Sequence, residues 1–348
     1  MSENLQALSR QPLQPITEQQ IEEQIAFFTT PSNRIVNNLT KGYNERLGLT
    51  TLEGDGRLTL QYNDLFITAT NTLINLLGTP ALGKAFDIFG ARIQSDGTSS
   101  ISLAEYMEYR EIKDKKQARK ELKNLGTIAL NAVINYDKDT IPKTEQRMYE
   151  KKGITIFMAS FTIAETFIVK DGKATMKFTP KYTKLALMWS KMLYNKELAK
   201  INDKLFPSSY YLGRKLCELM NMRRIKNKAP LPSNTICVSI NALLDAARTA
   251  IPTEEEVAKS NRAFRKRIIG RFEVDLNALK KIGSWKYCKS ISNGGAEVSQ
   301  KEADKMDYYE WKTLSISFTF IGYKEELERQ KQVKESGKRL LLEGSTQP

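Results

Sequence analysis

Residues 102–133 read SLAEYMEYREIKDKKQARKELKNLGTIALNAV, and this stretch decides the fold. Ser102-Leu-Ala-Glu105 is a capping box, in which the serine oxygen and the glutamate three residues on satisfy free backbone N–H groups at a helix start. It opens a short helix to about Arg110. After a break at Lys113-Asp114, a longer helix runs over Lys115–Val133. Ala118, Leu122, Leu125, Ala129 and Val133 recur at 3 to 4 residues on its inner face. Lys115 stands at its start, and Lys116, Arg119, Lys120 and Lys123 remain for the outer face.

Outward from this block, Ile154–Phe161 and Thr166–Lys170 are rich in β-branched and aromatic residues and predict strands. Asp171-Gly172 joins the second run to Lys173–Phe178, a strong two-residue hairpin signal. On the N-terminal side, residues 1–16 are polar, and Ile21, Ile25 and Phe28 predict a short amphipathic helix over Thr17–Phe28. Residues 29–60 read as loop with short strands. A helical stretch is expected over Tyr62–Leu77, closed by Gly78 and Pro80. Residues 62–178 thus run helix, short helix, long basic helix, β-hairpin. That is the order of a winged helix.

The same order occurs again. Residues 208–220, SSYYLGRKLCELM, form an amphipathic helix with Tyr211, Leu212, Leu216 and Leu219 inward. Ser239–Ala247 is a short helix beginning at a serine cap. Pro252-Thr-Glu-Glu-Glu256 opens a long helix, with proline and acids where the N-terminal dipole favours them. It is expected to reach Lys281, burying Val257, Phe264, Ile268, Phe272, Leu276 and Leu279. Arg262, Arg265, Lys266 and Arg271 then point away from the core. Strands at Trp285–Cys288 and Lys312–Phe320 finish the unit. In the second, Leu314, Ile316, Phe318 and Phe320 face one way and Thr313, Ser315, Ser317 and Thr319 the other. The polar, Gly-containing connection 290–310 suits an extended wing, and Lys324–Leu342 a solvated charged helix.

Composition narrows the function. The chain has 348 residues and no histidine, which removes nucleases that hold metal with a histidine pair, imidazole-based triads and most zinc sites. Cys217, Cys237 and Cys288 are scattered thiols without CxxC spacing and read as core cysteines of a cytosolic protein. Neither a secretory h-region nor an apolar run of membrane-spanning length is present, so a cytoplasmic chain is expected. The net charge of +14 is concentrated: Arg110–Leu125 carries 7 basic and 3 acidic residues, and Ser208–Ser290 carries 17 and 7. The remainder holds 30 of each sign. Two basic segments on a neutral body look like a nucleic-acid footprint. An anionic membrane is the competing partner, but neither segment joins its charge to an exposed aromatic face.

Tyr210-Tyr-Leu-Gly-Arg-Lys-Leu-Cys-Glu-Leu219, Val238-Ser-Ile-Asn-Ala-Leu-Leu244, Asn261-Arg-Ala-Phe-Arg-Lys-Arg-Ile-Ile269 and Phe272-Glu-Val-Asp-Leu276 together resemble the Rep-type replication initiators of plasmids and related mobile elements. Ile101–Tyr136 resembles the N-terminal counterpart more loosely. The resemblance spans roughly residues 60–322 and rests on the order of patterns rather than on an invariant motif. It implies an origin-binding initiator whose two winged helices each read part of a repeated duplex site. It also implies a homodimer that represses its own promoter, and host replication proteins (a helicase or its loader) as partners.

The expected fold is therefore α+β, with two tandem winged-helix domains at 61–195 and 196–322, an N-terminal extension over 1–60 and a charged tail over 323–348. Charge runs usually are solvated faces. Two of them, each after a short capped helix and before a hairpin, favour DNA-reading helices instead. Lys115, Lys116, Arg119, Lys120 and Lys123 in the first unit, and Asn261, Arg262, Arg265, Lys266 and Arg271 in the second, are the DNA-binding candidates, since Arg and Lys read guanine edges and Asn reads adenine. No catalytic set emerges. Tyr210 and Tyr211 sit in an apolar helical register and read as core. Gly54-Asp-Gly56 and Asn293-Gly-Gly295 lack P-loop spacing, Glu254–Glu256 suits a helix start, and Glu273 and Asp275 fall on different helix faces. No cofactor or metal is expected. The rival readings are a winged-helix transcriptional regulator and a metal-dependent nucleic-acid enzyme such as an integrase or primase.

Overall fold

The computed structural model describes residues 27–31, 49–52, 58–62, 65–69, 79–136, 147, 150–151, 153, 159–188, 191–227, 234–247, 251–252, 261–289, 295–329 and 332. Four strands come first: β1 (Phe27–Pro31), β2 (Leu49–Leu52), β3 (Leu58–Tyr62) and β4 (Leu65–Ala69). Helix α1 (Pro80–Ala91) follows, with proline at its start, where the missing N–H is not needed. Then come β5 (Thr98–Ser102), α2 (Leu103–Arg110) and α3 (Lys115–Asn131). Strands β6 (Val133–Tyr136) and β7 (Ala159–Thr162) lead to the hairpin β8 (Ala164–Lys170) and β9 (Lys173–Phe178).

The capping box expected at Ser102 forms by half, since Ser102 caps α2 while the Glu105 carboxylate pairs with Arg92, and Asp114, expected as a break, caps α3. Ser102 accepts a hydrogen bond from the Glu105 N–H at 3.1 Å, and Asp114 accepts one from the Lys116 N–H at 2.8 Å. Glu111 ends α2 in the left-handed region, at φ 51°. Asp171 and Gly172 both have positive φ, 50° and 72°, and join β8 to β9 as a two-residue turn of the kind that matches strand twist. The three-stranded sheet has the order β5-β9-β8, all antiparallel, so the last strand lies between the other two. Ala118, Leu122, Leu125, Ile128 and Ala129 of α3 are buried in a core that also holds Ile101, Tyr106, Met176 and Phe178.

Through α4 (Pro180–Met188), β10 (Lys191–Asn195) and α5 (Glu197–Lys200) the chain reaches the second unit. There α6 (Ser209–Asn227), β11 (Thr235–Ser239) and α7 (Ile240–Ala246) precede a compound helix. This is α8 (Asn261–Phe264), a π turn (Arg265–Ile269), α9 (Gly270–Asn277) and a 3₁₀ turn (Ala278–Lys281). Then follow β12 (Gly283–Cys288), β13 (Glu297–Val298), α10 (Gln300–Ala303), α11 (Tyr308–Lys312) and β14 (Ser315–Phe320), and residues 323–329 are helical. The sheet order is β11-β14-β12-β13. As in the first unit, helix, strand, helix and helix precede further strands and the last strand is inserted between two earlier ones, but here β13, α10 and α11 intervene and the sheet has four strands rather than three. Phe272, Leu276, Trp311, Ile316 and Phe318 fill its core, with Phe272 and Trp311 edge to face at 5.4 Å.

Several sequence expectations are corrected. Tyr62 ends β3 and Leu65–Ala69 is a strand, not part of a helix over 62–77, because Leu65, Phe66, Ile67 and Thr68 favour the extended state and pair with β3 and β6. Residues 70–78 lie outside the described residues, and the helix begins at Pro80. Phe27 and Phe28, expected to close a helix, pair with Asn195 and Tyr194 in a two-stranded sheet, while 17–26 lie outside the described residues. The strand expected from Ile154 is described from Ala159. The long helix from Pro252 is interrupted by the π turn and ends in a 3₁₀ turn, and 253–260, including Val257, lie outside the described residues. Of the wing expected over 290–310, residues 290–294 lie outside the described residues, Glu297–Val298 pairs with β12 as a short strand, and 300–303 and 308–310 belong to two short capped helices. Ser299 with Glu302 and Asp307 with Glu310 each form a capping box that starts a helix where an extended strand was expected. Lys312 belongs to α11 rather than to the last strand. Ser315, expected to face away from the core side, is buried at 3% exposure. Of the expected charged helix over 324–342, residues 324–329 are helical and 332 is helix, with the remainder outside the described residues.

The two units meet through their first helices. A Cβ at Gly83 of α1 would overlap the Tyr210 ring of α6. Beside it, Asp87 of α1 and Arg214 of α6 form a buried ion pair, and Tyr210 donates its hydroxyl to Asp87 at 3.0 Å. Thr30 of β1 completes the cluster by donating to the Asp87 carbonyl at 3.2 Å. Burial pushes the Asp87 carboxyl upward, and the Arg214 guanidinium opposes that push. A second cluster joins Lys84, Arg110, Glu121 and Asp203.

A candidate nucleic-acid interface

Helix α3 presents its charge to solvent because its apolar stripe fixes its orientation. With Ala118, Leu122 and Leu125 fully buried, Lys115, Lys116, Arg119, Lys120 and Lys123 are exposed along the opposite face. Among the described residues, none of these five side chains makes an ion pair. Glu121, the acid within this run, turns inward instead. It accepts from the Tyr106 hydroxyl at 2.9 Å and from Arg110 at 3.2 Å. With Glu121 turned inward, the exposed face of Lys115–Lys123 carries cations and no acid.

The hairpin extends this face. Phe167 of β8 packs on Gly126 of α3, where a Cβ would overlap the ring. The strand therefore lies close along the helix. Arg119, Lys123, Thr127, Leu130 and Asn131 of α3 face Phe167 and Val169 of β8 across an open groove. Lys170 and Lys173 flank the exposed turn. These two lysines were missed by the sequence reading, although the Lys-Asp-Gly-Lys spacing was visible in it.

The second unit sorts its candidates differently. Lys266 is exposed, as expected, and so is its neighbour Arg267, which the sequence reading passed over. Arg265 instead turns to the 299–307 segment, donating to the Met306 carbonyl at 2.8 Å and lying 3.8 Å from Asp304. Arg271 donates to the Leu205 carbonyl at 2.9 Å and to Asp275 at 3.2 Å. Both arginines are thus held by partners within the chain. Outward-facing candidates follow a different stripe, through Val274, Asn277 and Lys280, all exposed. The Asn277 side-chain oxygen accepts from Trp285 Nε1 at 3.0 Å. The side chains of Asn261 and Arg262 lie outside the described residues.

Asp275 is buried and occupied, accepting from the Ser208 and Ser209 hydroxyls, and burial pushes its carboxyl upward. Glu273 accepts from the Tyr287 hydroxyl at 2.8 Å. Tyr210 and Tyr211 are core residues, 0% and 2% exposed. Cys237 and Cys288 sit on flanking strands of one sheet with their Sγ atoms 3.1 Å apart, and burial pushes the Cys288 thiol up to about 12. Among the described residues, no group of three or more Cys, Asp or Glu side chains is placed to hold a metal ion, and no helix is long and apolar enough to cross a membrane.

No protein-family model matches the chain, and no curated protein matches it. Among solved structures, it is similar to the Pi initiator protein crystallised in complex with iteron DNA, with 11% identity and a TM-score of 0.45 over 85% of this chain and 98% of that one. It is also similar to domains 2–3 of RctB, with 10% identity and a TM-score of 0.38 over 84% of this chain and 99% of that one. At these scores the functional reading rests on the residues of the chain itself.

Proposed function

We propose that this chain is a sequence-specific duplex-DNA-binding protein of the replication-initiator type, built on two winged helices and acting on repeated origin sites of a plasmid or mobile element. The observation that carries the reading is the face of α3. Its five cations have no anionic partner among the described residues, its acid is turned inward, and the hairpin beside it adds Lys170 and Lys173. A cationic helix next to a basic hairpin fits a duplex, with the helix in the major groove and the lysines on phosphates. Recurrence in the second unit of helix, strand, helix and helix, with the last strand paired between two earlier ones, supports two reading heads on one molecule. The units span 61–195 and 196–322 in this reading.

The initiator role adds to DNA binding what the sequence resemblance implies: a homodimer that represses its own promoter, and a host helicase or loader as a further partner. The chain works in the cytoplasm in this reading, without catalysis of its own. Sequencing the duplexes that the protein selects from a random pool tests this directly. Directly repeated selected sites beside its own gene are the expected result. A single palindrome would favour a transcriptional regulator, and metal-dependent nicking or synthesis would favour an enzyme.

A further inference from the structure

The compound helix of the second unit carries its π turn at Arg265–Ile269, closed by the Gly270 N–H on the Arg265 carbonyl. An i→i+5 turn takes up one residue more than an α turn, so the chain before it is set back by one position against the chain after it. The packing shows the result. Arg265 stands seven positions before Phe272, almost two turns of an α-helix, and an uninterrupted helix would aim it into the core as Phe272 is aimed. Instead Phe264, one position earlier, packs against the core and stacks on Tyr308 at 5.1 Å. Arg265 is turned to the flank, where the Met306 and Ala303 carbonyls accept from it at 2.8 and 3.4 Å. The 299–312 segment also holds the helix beyond the turn, through Trp311 against Phe272 and Gln300 donating to Glu273 at 2.9 Å. One segment therefore clamps the helix on both sides of the π turn.

The same displacement acts on the outer face, where Val274 and Asn277 are exposed. Arg267 stands seven positions before Val274 and Lys266 one position earlier. An uninterrupted helix would bring Arg267 into line with Val274. The π turn brings Lys266 into that line and leaves Arg267 at its side. Both cations are exposed, and neither makes an ion pair among the described residues. We propose that the π turn, clamped by the 299–312 segment, sets the sequence specificity of the second unit. It makes Lys266 the side chain that reaches a base edge of the bound duplex, and leaves Arg267 to a phosphate. The choice matters because Arg offers a guanine edge a rigid planar fork, whereas Lys offers a compact charge with rotatable donors. Phe264, Arg265 and Tyr308 act in this as positioning residues that need not touch DNA. The inference rests on the duplex reading above.

The test uses the full chain, a duplex that it selects from a random pool, and a scrambled duplex. Lys266→Ala should lower affinity for the selected duplex roughly 5- to 150-fold more than for the scrambled one. Repeated selection with this variant should lose the preference at one base pair. Arg267→Ala should keep the selected sequence, weaken binding to both duplexes alike and lower the salt slope by about 1. Gly270→Ala favours an α turn, since alanine outranks glycine in a helix and its Cβ would lie 3.1 Å from the Arg265 carbonyl that closes the π turn. In that background the roles should exchange, with Arg267→Ala now removing the base preference. Melting curves establish that each variant is folded. Where Gly270→Ala is not, the Lys266 and Arg267 variants in the wild-type background decide alone. A base preference removed by Arg267→Ala in that background, or untouched by Lys266→Ala, overturns the proposal and leaves duplex binding standing. So do roles that stay unchanged in a folded Gly270→Ala chain. If wild type binds no duplex at all, the duplex reading falls and this inference with it.

Discussion

Arg214 grips Asp87 with two nitrogens, Nε at 3.0 Å and Nη2 at 3.1 Å, although the two residues lie 127 positions apart and both side chains are almost fully buried. The pair fastens α1 of the first unit to α6 of the second. Its attraction is set against the desolvation of both charges, so the pair itself is not a large source of stability. Breaking it is another matter. Asp87→Ala takes from the buried Arg214 guanidinium its bidentate carboxylate and from the Tyr210 hydroxyl this acceptor. A loss of about 3–5 kcal/mol is expected in chemical denaturation. The double variant Asp87→Leu, Arg214→Met should lose much less, since no lone charge remains. Equal losses in the single and double variants would show that volume, not charge, dominates there.

Lys84 gives the stability a pH dependence. Its side chain is fully buried against Asp203 and the Ile201 carbonyl, and burial lowers its pKa to about 8 against the attraction of Asp203. The unfolded chain keeps this lysine protonated up to about 10.4. Between these values the unfolded state binds more protons, so the contribution of Lys84 to stability rises with pH there. The slope approaches about 1.4 kcal/mol per pH unit at most. Buried tyrosines titrate too, so the measurement is the difference between wild type and Lys84→Met at pH 7 and pH 9.5. That difference should move in favour of wild type at the higher pH. A difference independent of pH would place the Lys84 pKa near its ordinary value.

These clusters explain what the sequence could and could not convey. The fold around α3 was legible because Ala118, Leu122, Leu125 and Ala129 keep helical spacing, Ser102 caps, Lys113-Asp114 breaks the helix and Asp171-Gly172 turns. Each signal acts within a few residues. Helix α1 was not legible, since it is buried on nearly every side and carries Lys84 and Asp87 into the interior. Those charges make sense only beside Asp203 and Arg214, more than 100 positions away. The same limit applied to the second unit's site. The register of an ideal helix marked Arg265 and Arg271 as outward, but Arg265 finds the Met306 carbonyl and Arg271 the Leu205 carbonyl and the Asp275 carboxylate. The π turn shifts the register further, so the outer stripe runs through Lys266, Arg267, Val274 and Asn277. Period counting on an ideal helix could not reveal that shift.

Gly126 sets how closely the hairpin approaches α3. Alanine there would press its methyl group into the Phe167 ring. Gly126→Ala should cost about 1–3 kcal/mol of stability, as overpacking typically does. It should also weaken duplex binding by moving Lys170 and Lys173 away from the helix. Adding Phe167→Leu should restore part of both losses by making room. Weakened binding with unchanged stability, unrelieved by Phe167→Leu, would mean that the position matters for something other than this contact.

The two kinds of cation in the basic segments should separate cleanly by experiment. Lys116, Lys120, Lys123 and Lys266 are exposed and make no ion pair among the described residues. Changing any one to Ala should leave thermal stability within about 0.5 kcal/mol of wild type. Each that meets a phosphate should weaken binding on all duplexes and lower the salt slope by about 1. Arg265→Ala and Arg271→Ala should behave in the opposite way. Arg265 satisfies the Met306 carbonyl and Arg271 the Leu205 carbonyl and the buried Asp275. Removing either breaks hydrogen bonds within the chain, at about 0.5–1.5 kcal/mol of stability for each bond lost. Where such a variant remains folded, its salt slope should equal that of wild type, because no phosphate contact is lost. Lys324, exposed and outside both basic segments, serves as the control for surface charge, and Lys324→Ala should alter neither quantity. Melting curves and binding isotherms at 50–200 mM salt on one selected duplex measure both effects together. If Arg265→Ala lowers the salt slope without touching stability, the arginine leaves its carbonyl partners to meet DNA. The outer stripe would then have to be redrawn to include it. If Lys324→Ala weakens binding as much as Lys120→Ala does, no single face is at work, and the chain is a diffuse polycation.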